Sequence, residues 1–119
     1  MPRYMMLMHP ADFPAAGEPP PADSVAKMMK FNEELVQAGV LLSADGLDQP
    51  ETGARVRFEG GRPTVTDGPF TEAKELIGGY WIIQASSREE AVEWARRCPA
   101  EDGDMIEVRP IQPYPEDLA

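Results

Sequence analysis

The chain has 119 residues, 42% of them apolar, and a formal net charge of −10 at pH 7. That length holds one domain (residues 1–119, with a polar tail from about 112), and a chain of this size buries about two-thirds of its unfolded surface, so a core is within reach. The negative charge argues against nucleic acid or an anionic membrane as partner, and the single Cys98 excludes an internal disulfide and suits a reducing, cytoplasmic setting.

The start, "MPRYMMLMHPADF", carries an apolar run of five residues, too short for a signal-peptide core or a membrane span. "YMMLMH" (4–9) lacks a helical period and reads as a strand buried on both faces. Pro10, Pro14, Pro19, Pro20 and Pro21 make residues 10–22 a loop. A helix follows, with Asp23 or Ser24 as cap and Val25, Met28, Met29, Asn32, Leu35 and Val36 at helical spacing. Gly39 stands where a left-handed C-terminal cap belongs. "VLLSADGL" (40–47) is a second strand running into a turn.

"ARVRFEGGRPTVT" then alternates: Ala54, Val56 and Phe58 fall on one face and Arg55, Arg57 and Glu59 on the other, with Gly60-Gly61 as a two-residue hairpin turn. Pro63 cannot donate to a ladder, so the returning strand is an edge. "GGYWIIQA" (78–85) is a strand apolar on both faces. Ser87 and Glu90 form a capping box for a second helix that turns Ala91, Val92, Ala95 and Cys98 inward and stops at Pro99. "MIEVRPI" (105–111) is the last strand. The order β-α-β, hairpin, β-α-β is the α+β, ferredoxin-like split βαβ plan with an inserted hairpin. Two helices cover one sheet face, and the other keeps apolar residues such as Met5, Leu7, Trp81 or Ile83, depending on register. Two such faces packed together predict a homodimer.

Four segments in order, "FNEELVQAGVLL" (31–42), "GARVRF" (53–58), "VTDGPFTEAKELIGGYW" (65–81) and "AVEWARRCP" (91–99), resemble the YCII-related family, and more narrowly its branch named for the DGPF motif. The resemblance covers about residues 3–111. It implies a dimeric α/β-barrel of ferredoxin-like protomers and no established activity for the branch. Some relatives in the wider family are cofactor-free lyases acting on halogenated aromatic hydroxy compounds, and the branch is often encoded beside alternative sigma factors. "MHPADFPAAGEPPP" departs from the varied loop that usually follows the first strand, so ligand size does not carry over.

The candidate chemistry centres on "TVTDGPFTEAKE" (64–75), which is either a corner or a site. His9, the one histidine, ends the first strand at the mouth of the expected barrel. It is either a strand-end residue bonded to backbone or a proton-transfer group near neutral pH. Asp67 caps its turn through local N–H groups, or orients His9, or acts as a base. Gly68 supplies freedom in φ, Pro69 stiffens the turn and Phe70 plugs it into the core or lines a pocket. Lys74 is a solvated charge or an anchor for an anionic substrate. Tyr80 and Trp81 point to opposite sheet faces, one packing under the helices and the other lining the barrel or dimer interface, and Asp45 is a turn residue or a second carboxylate.

No phosphate loop is present, because "GEPPP" and "EGGR" lack the strand-loop-helix setting. One His and one Cys make no zinc site, and the spacing of Asp45, Asp67 and Glu72 favours no carboxylate metal site. The expectation is cofactor-free acid–base chemistry, lyase- or isomerase-like, on a small aromatic or hydroxylated molecule. The alternative is a non-catalytic ligand-binding or regulatory partner in transcription. An ionisable pocket joining His9 to Asp67 favours the first, and a His9 bonded to backbone favours the second.

Overall fold

A computed structural model describes residues 1–13, 17–68 and 76–114. Its elements in chain order are β1 (Arg3–His9), α1 (Ala22–Gln37), β2 (Leu41–Gly46), β3 (Ala54–Glu59), β4 (Arg62–Asp67), β5 (Gly79–Gln84), α2 (Arg88–Arg96) and β6 (Met105–Pro110), with a single 3₁₀ turn at Pro50–Thr52. Four strands form an antiparallel sheet in the order β2-β5-β1-β6, and β3 pairs with β4 in a separate two-stranded sheet. This mixed α+β arrangement, with two helices and antiparallel sheets, is compatible with the split βαβ plan.

The pleat sorts side chains by face. Tyr4 and Met6 from β1 and Trp81 and Ile83 from β5 are buried beneath the helices, joined by Phe31 and Leu35 of α1 and Ala91 of α2. Met5 and Leu7 alternate with them and are only half-buried. β1 is therefore not buried on both faces within the protomer. Helices cover one face alone, because both crossovers return on that side.

The core hinges on Trp81. Its ring meets Phe31 edge-on, with centroids 5.7 Å apart and planes at 86°, the geometry that suits the ring quadrupoles. Its Nε1–H donates to Asn32 Oδ1 at 2.8 Å, so the indole N–H is buried without being left unpaired. These contacts set the rotation of α1. Two apolar stripes compete on that helix, and the Phe31–Leu35 stripe, with Met28, faces the sheet. Val25, Met29 and Val36 lie outside, 38%, 65% and 57% exposed. The expected inward stripe is thus rotated by roughly a fifth of a turn, keeping Met28 and Leu35 and exchanging its outer edge for Phe31.

The ends of α1 divide similarly. Pro21 occupies the cap position and no side chain bonds there. Asp23 and Ser24 fall inside the first turn, where a carboxylate favours the positive helix end. Gly39 closes the helix at φ 72°, its N–H donating to Val36 O at 2.9 Å. In α2, Ser87 Oγ accepts from the Glu90 N–H at 3.1 Å. The Glu90 carboxylate reaches back one residue further than a capping box requires, to the N–H and hydroxyl of Ser86.

Gly60 and Gly61 at φ 57° and 80° give β3–β4 its tight turn. The base of the arm is fastened by Gly68 N–H to Gly53 O at 3.1 Å. Gly68 is not among the positive-φ glycines. Space, and not φ, demands glycine there: a Cβ would be driven into the Pro50 carbonyl oxygen and lie 3.1 Å from Glu51 Cα. Pro69, Phe70, Lys74 and the rest of 69–75 lie outside the described residues.

Gly68→Ala should therefore cost about 1–3 kcal/mol, the usual range for overpacking against atoms that cannot yield. Gly46→Ala should be near neutral, since a Cβ at Gly46 meets nothing within 4 Å. Urea unfolding of both variants beside the parent measures the contrast; equal midpoints for the two would refute it.

Candidate functional site

Two adjoining rows of the sheet create the site. On the helix side, Gly46 pairs with Gly79, and Gly79 with Met8. Two glycines side by side leave the sheet bare beneath the first half of α1. The space becomes a cleft of about 320 Å³, floored by Ala44, Gly46, Gly78 and Gly79 and walled by Met8, Met28, Asn32 and Trp81, with Asp45 and Tyr80 at its border. Gly79 also lets β2 approach, since a Cβ would stand 3.1 Å from Asp45 O and 3.4 Å from Gly46 Cα. A neighbouring hollow of about 380 Å³ shares Met8 and Gly78 and runs under the proline-rich loop past Phe13 and Asp48.

On the opposite side of the sheet, Asp45, Tyr80, Leu7 and Glu107 form one cross-strand row over all four strands. Tyr80 Oη donates to Asp45 Oδ2 at 3.4 Å, a long bond at one end of the row. At the other end, His9 Nε2 lies 3.4 Å from Glu107 Oε1. That distance is within ion-pair reach, yet the pair is not aligned as a hydrogen bond, and both ring nitrogens are buried without a hydrogen-bond partner among the described residues. The His9 side chain is 12% exposed. An imidazole held this way carries an unmet desolvation cost.

The sequence-predicted residues fall into separate places. Trp81 walls the cleft, and Asp45 and Tyr80 border it from strand positions whose side chains belong to the opposite face. Trp81 faces the helices and Tyr80 the other side, as their adjacency demands. The carboxylate beside His9 is Glu107, and the His9 ring is not bonded to backbone among the described residues. Asp67 ends β4 on the separate hairpin and is exposed. Phe70 and Lys74 lie outside the described residues.

In the sequence Asn32 reads only as one residue of the inward helical stripe and Glu107 only as part of the last strand, neither as a site residue. Asn32 was legible as an amide one turn beyond Met28 on a buried face, the kind of residue a buried indole needs. Glu107 was legible as a charge alternating with Ile106 and Val108. Because an indole N–H only donates, Asn32 must offer Trp81 its oxygen, and its amide nitrogen is then the donor left for another group. The cleft thus offers a donor at Asn32 between apolar walls, with the Asp45 and Tyr80 side chains beyond its Gly46–Gly79 end on the other sheet face.

No cluster of three or more His, Cys, Asp or Glu side chains placed to hold a metal occurs among the described residues, and none of their helices is long and apolar enough to cross a membrane. A family model described as the YCII-related domain matches residues 3–115. The chain is also 35% identical over 81 residues to "Uncharacterized protein R00369" of Rhizobium meliloti (strain 1021). That match takes in 66% of this chain and 65% of the relative's length.

Cys98 stands apart, in a hollow between α2 and β6 with Arg88, Arg96, Ile106 and Val108. Burial, with Asp104 adding to it, pushes its thiol up to about 11. Since the thiolate is the reactive form, a disulfide reagent at pH 8 should react with the native protein at least roughly tenfold more slowly than with the urea-unfolded chain. The native rate should climb as pH rises toward 11. Equal rates in both states at pH 8 would show an accessible, ordinary thiol.

Proposed function

Because the chain belongs to the YCII-related domain family, and residues 65–81 resemble its DGPF branch, we propose that it acts on a small aromatic or hydroxylated molecule by cofactor-free acid–base chemistry, lyase- or isomerase-like, as a cytoplasmic homodimer. The observation that carries this reading is the Asp45–Tyr80 pair at the border of an apolar cleft. Pockets of this build hold the hydrocarbon body of a ligand against apolar walls and fix its orientation through a few polar groups. Here Met8, Met28 and Trp81 take the body, and Asn32 donates to a ligand oxygen. A ligand hydroxyl reaching round the Gly46–Gly79 end of the sheet would meet Asp45 on the other face, which accepts its proton, and the Tyr80 phenol, already directed at Asp45, relays or returns it. A bond of 3.4 Å suits such a role, since catalytic hydrogen bonds often tighten only around substrate.

The dimer completes the arrangement. A second copy packed over the uncovered sheet face would enclose Asp45, Tyr80, Glu107 and His9 in one interior, the barrel that the family resemblance implies. The Asp67-Gly68 corner, with Phe70 and Lys74 beyond it, is proposed as the rim of that barrel, and Lys74 as its anchor for an anionic group. A second reading rests on His9. Its ring nitrogens are shut away from solvent, whereas a general acid or base must reach its substrate. This favours the non-catalytic ligand-binding or regulatory role, in which His9 only positions Glu107.

The test uses Trp81 as reporter. Trp94→Phe leaves it as the one indole of the two in the chain. Titration with catechol- and hydroquinone-type compounds should then give a saturable fluorescence change, weakened about tenfold by Asp45→Asn through loss of one charged hydrogen bond. Gly46→Leu should abolish it by filling the cleft. No saturable change with any compound would count against the cleft as a site. For a compound that is turned over, Asp45→Asn and Tyr80→Phe should each lower kcat by about 10²–10⁴-fold. Undiminished turnover in both variants would end the acid–base assignment. Sedimentation should give twice the 13.1 kDa of one chain.

A further inference from the structure

The β3–β4 arm has no reason to be stable as it stands. All twelve of its strand residues are exposed, and an isolated two-stranded hairpin is marginal in water. Its two faces differ sharply. Ala54 pairs with Asp67 at the neck, Val56 with Val65 and Phe58 with Pro63 on one face, while Arg55 pairs with Thr66, Arg57 with Thr64 and Glu59 with Arg62 on the other. The apolar face lies open: Val56 is 52%, Phe58 78% and Val65 63% exposed. The radius of gyration, 16.4 Å, exceeds the roughly 13.5 Å of a compact domain of this length, in keeping with an arm that projects.

We propose that this arm docks on a second copy of the same chain, its apolar face extending the sheet-to-sheet contact of the homodimer. The inference rests on the dimer reading above. Three observations select a second copy as occupant. First, the arm carries three arginines against Glu59 and Asp67, a net-positive element on a chain whose overall charge is −10, so another copy is an attractive surface for it. Second, the uncovered sheet face supplies matching apolar surface at Met5, Leu7 and Ile82, bordered by the carboxylates of Asp45 and Glu107. Third, the arm's neck is fixed and not slack: Gly68 bonds Gly53 and packs on Pro50 so closely that only glycine fits. The arm it carries forms a sheet of its own with every strand residue exposed, so it stands off the four-stranded sheet. Symmetry then returns the favour, since each copy offers both an arm and a face.

Amide hydrogen exchange on the full chain, well above and well below the dimer dissociation constant, tests this together with sedimentation. The ladder amides of residues 54–67 should be protected in the dimer and lose that protection at least tenfold on dilution. The double variant Val56→Asp, Phe58→Asp should raise the dissociation constant tenfold or more while circular dichroism stays unchanged, because neither side chain belongs to the protomer core. A dimer whose arm amides exchange fast at every concentration, or whose dissociation constant is indifferent to the double variant, overturns the docking and leaves the dimer intact. A wild-type chain that stays monomeric at every concentration overturns the dimer reading and the docking with it.

Discussion

A buried indole N–H must find an acceptor, and in this protein that requirement organises everything above the sheet. Trp81 sits in the middle of β5 with its ring under α1, and Asn32 is the group that meets it. An unpaired indole there would forfeit about 1–3 kcal/mol. The bond therefore chooses among the rotations of α1 that packing alone would tolerate. Once it is made, Phe31 lies edge-on against the same ring, Leu35 is sealed, and Met28 stands over Gly46 and Gly79. The cleft is a by-product of this placement. A helix turned to bury Val25, Met29 and Val36 would carry Phe31 away from the indole and place different side chains over the glycines.

The uncovered face obeys another constraint. Where helices pack, the sheet shows Tyr4, Met6, Trp81 and Ile83, and where they do not, charged residues enter the rows. Asp45 and Glu107 terminate one row on the two edge strands, the positions where a carboxylate keeps most access to water. Tyr80 and His9 lean toward them from the inner strands. The result is a face neither apolar enough for a core nor polar enough for simple exposure. Faces of that mixed kind are what association between protein surfaces tolerates, and they are also where ionisable groups acquire work.

Much of this was legible in the sequence wherever a local rule acts alone. Gly60-Gly61 between alternating strands, Gly39 after a helix and Ser87 before one each need only near neighbours, and each is found as expected. The split βαβ order follows from the element sequence in the same way. The face of α1 was not legible, because two apolar stripes of similar strength run along it and only Trp81, nearly fifty residues away, decides between them. The partner of His9 was hidden for the same reason. Glu107 and His9 are neighbours only through the pairing of β1 with β6, which no local signal encodes. Asp67 attracted attention because it stands in a conspicuous motif, while its place at the end of the hairpin arm depended on a separate sheet.

Gly68 shows how a motif can be read correctly as important and wrongly as to cause. A glycine before proline suggests backbone freedom, yet its φ is unremarkable for any residue and its neighbour is the decisive fact. The 3₁₀ turn at Pro50–Thr52 brings a carbonyl oxygen against the spot where a side chain would start. Thus the first half of the DGPF corner serves to clamp the neck of the arm to the end of β2. That clamp ties two features together: β2 carries Asp45 and Gly46 of the cleft, and the arm carries the largest exposed aromatic surface among the strands, Phe58. A corner built for close packing thus holds the base of the arm to the turn that follows the strand carrying Asp45 and Gly46.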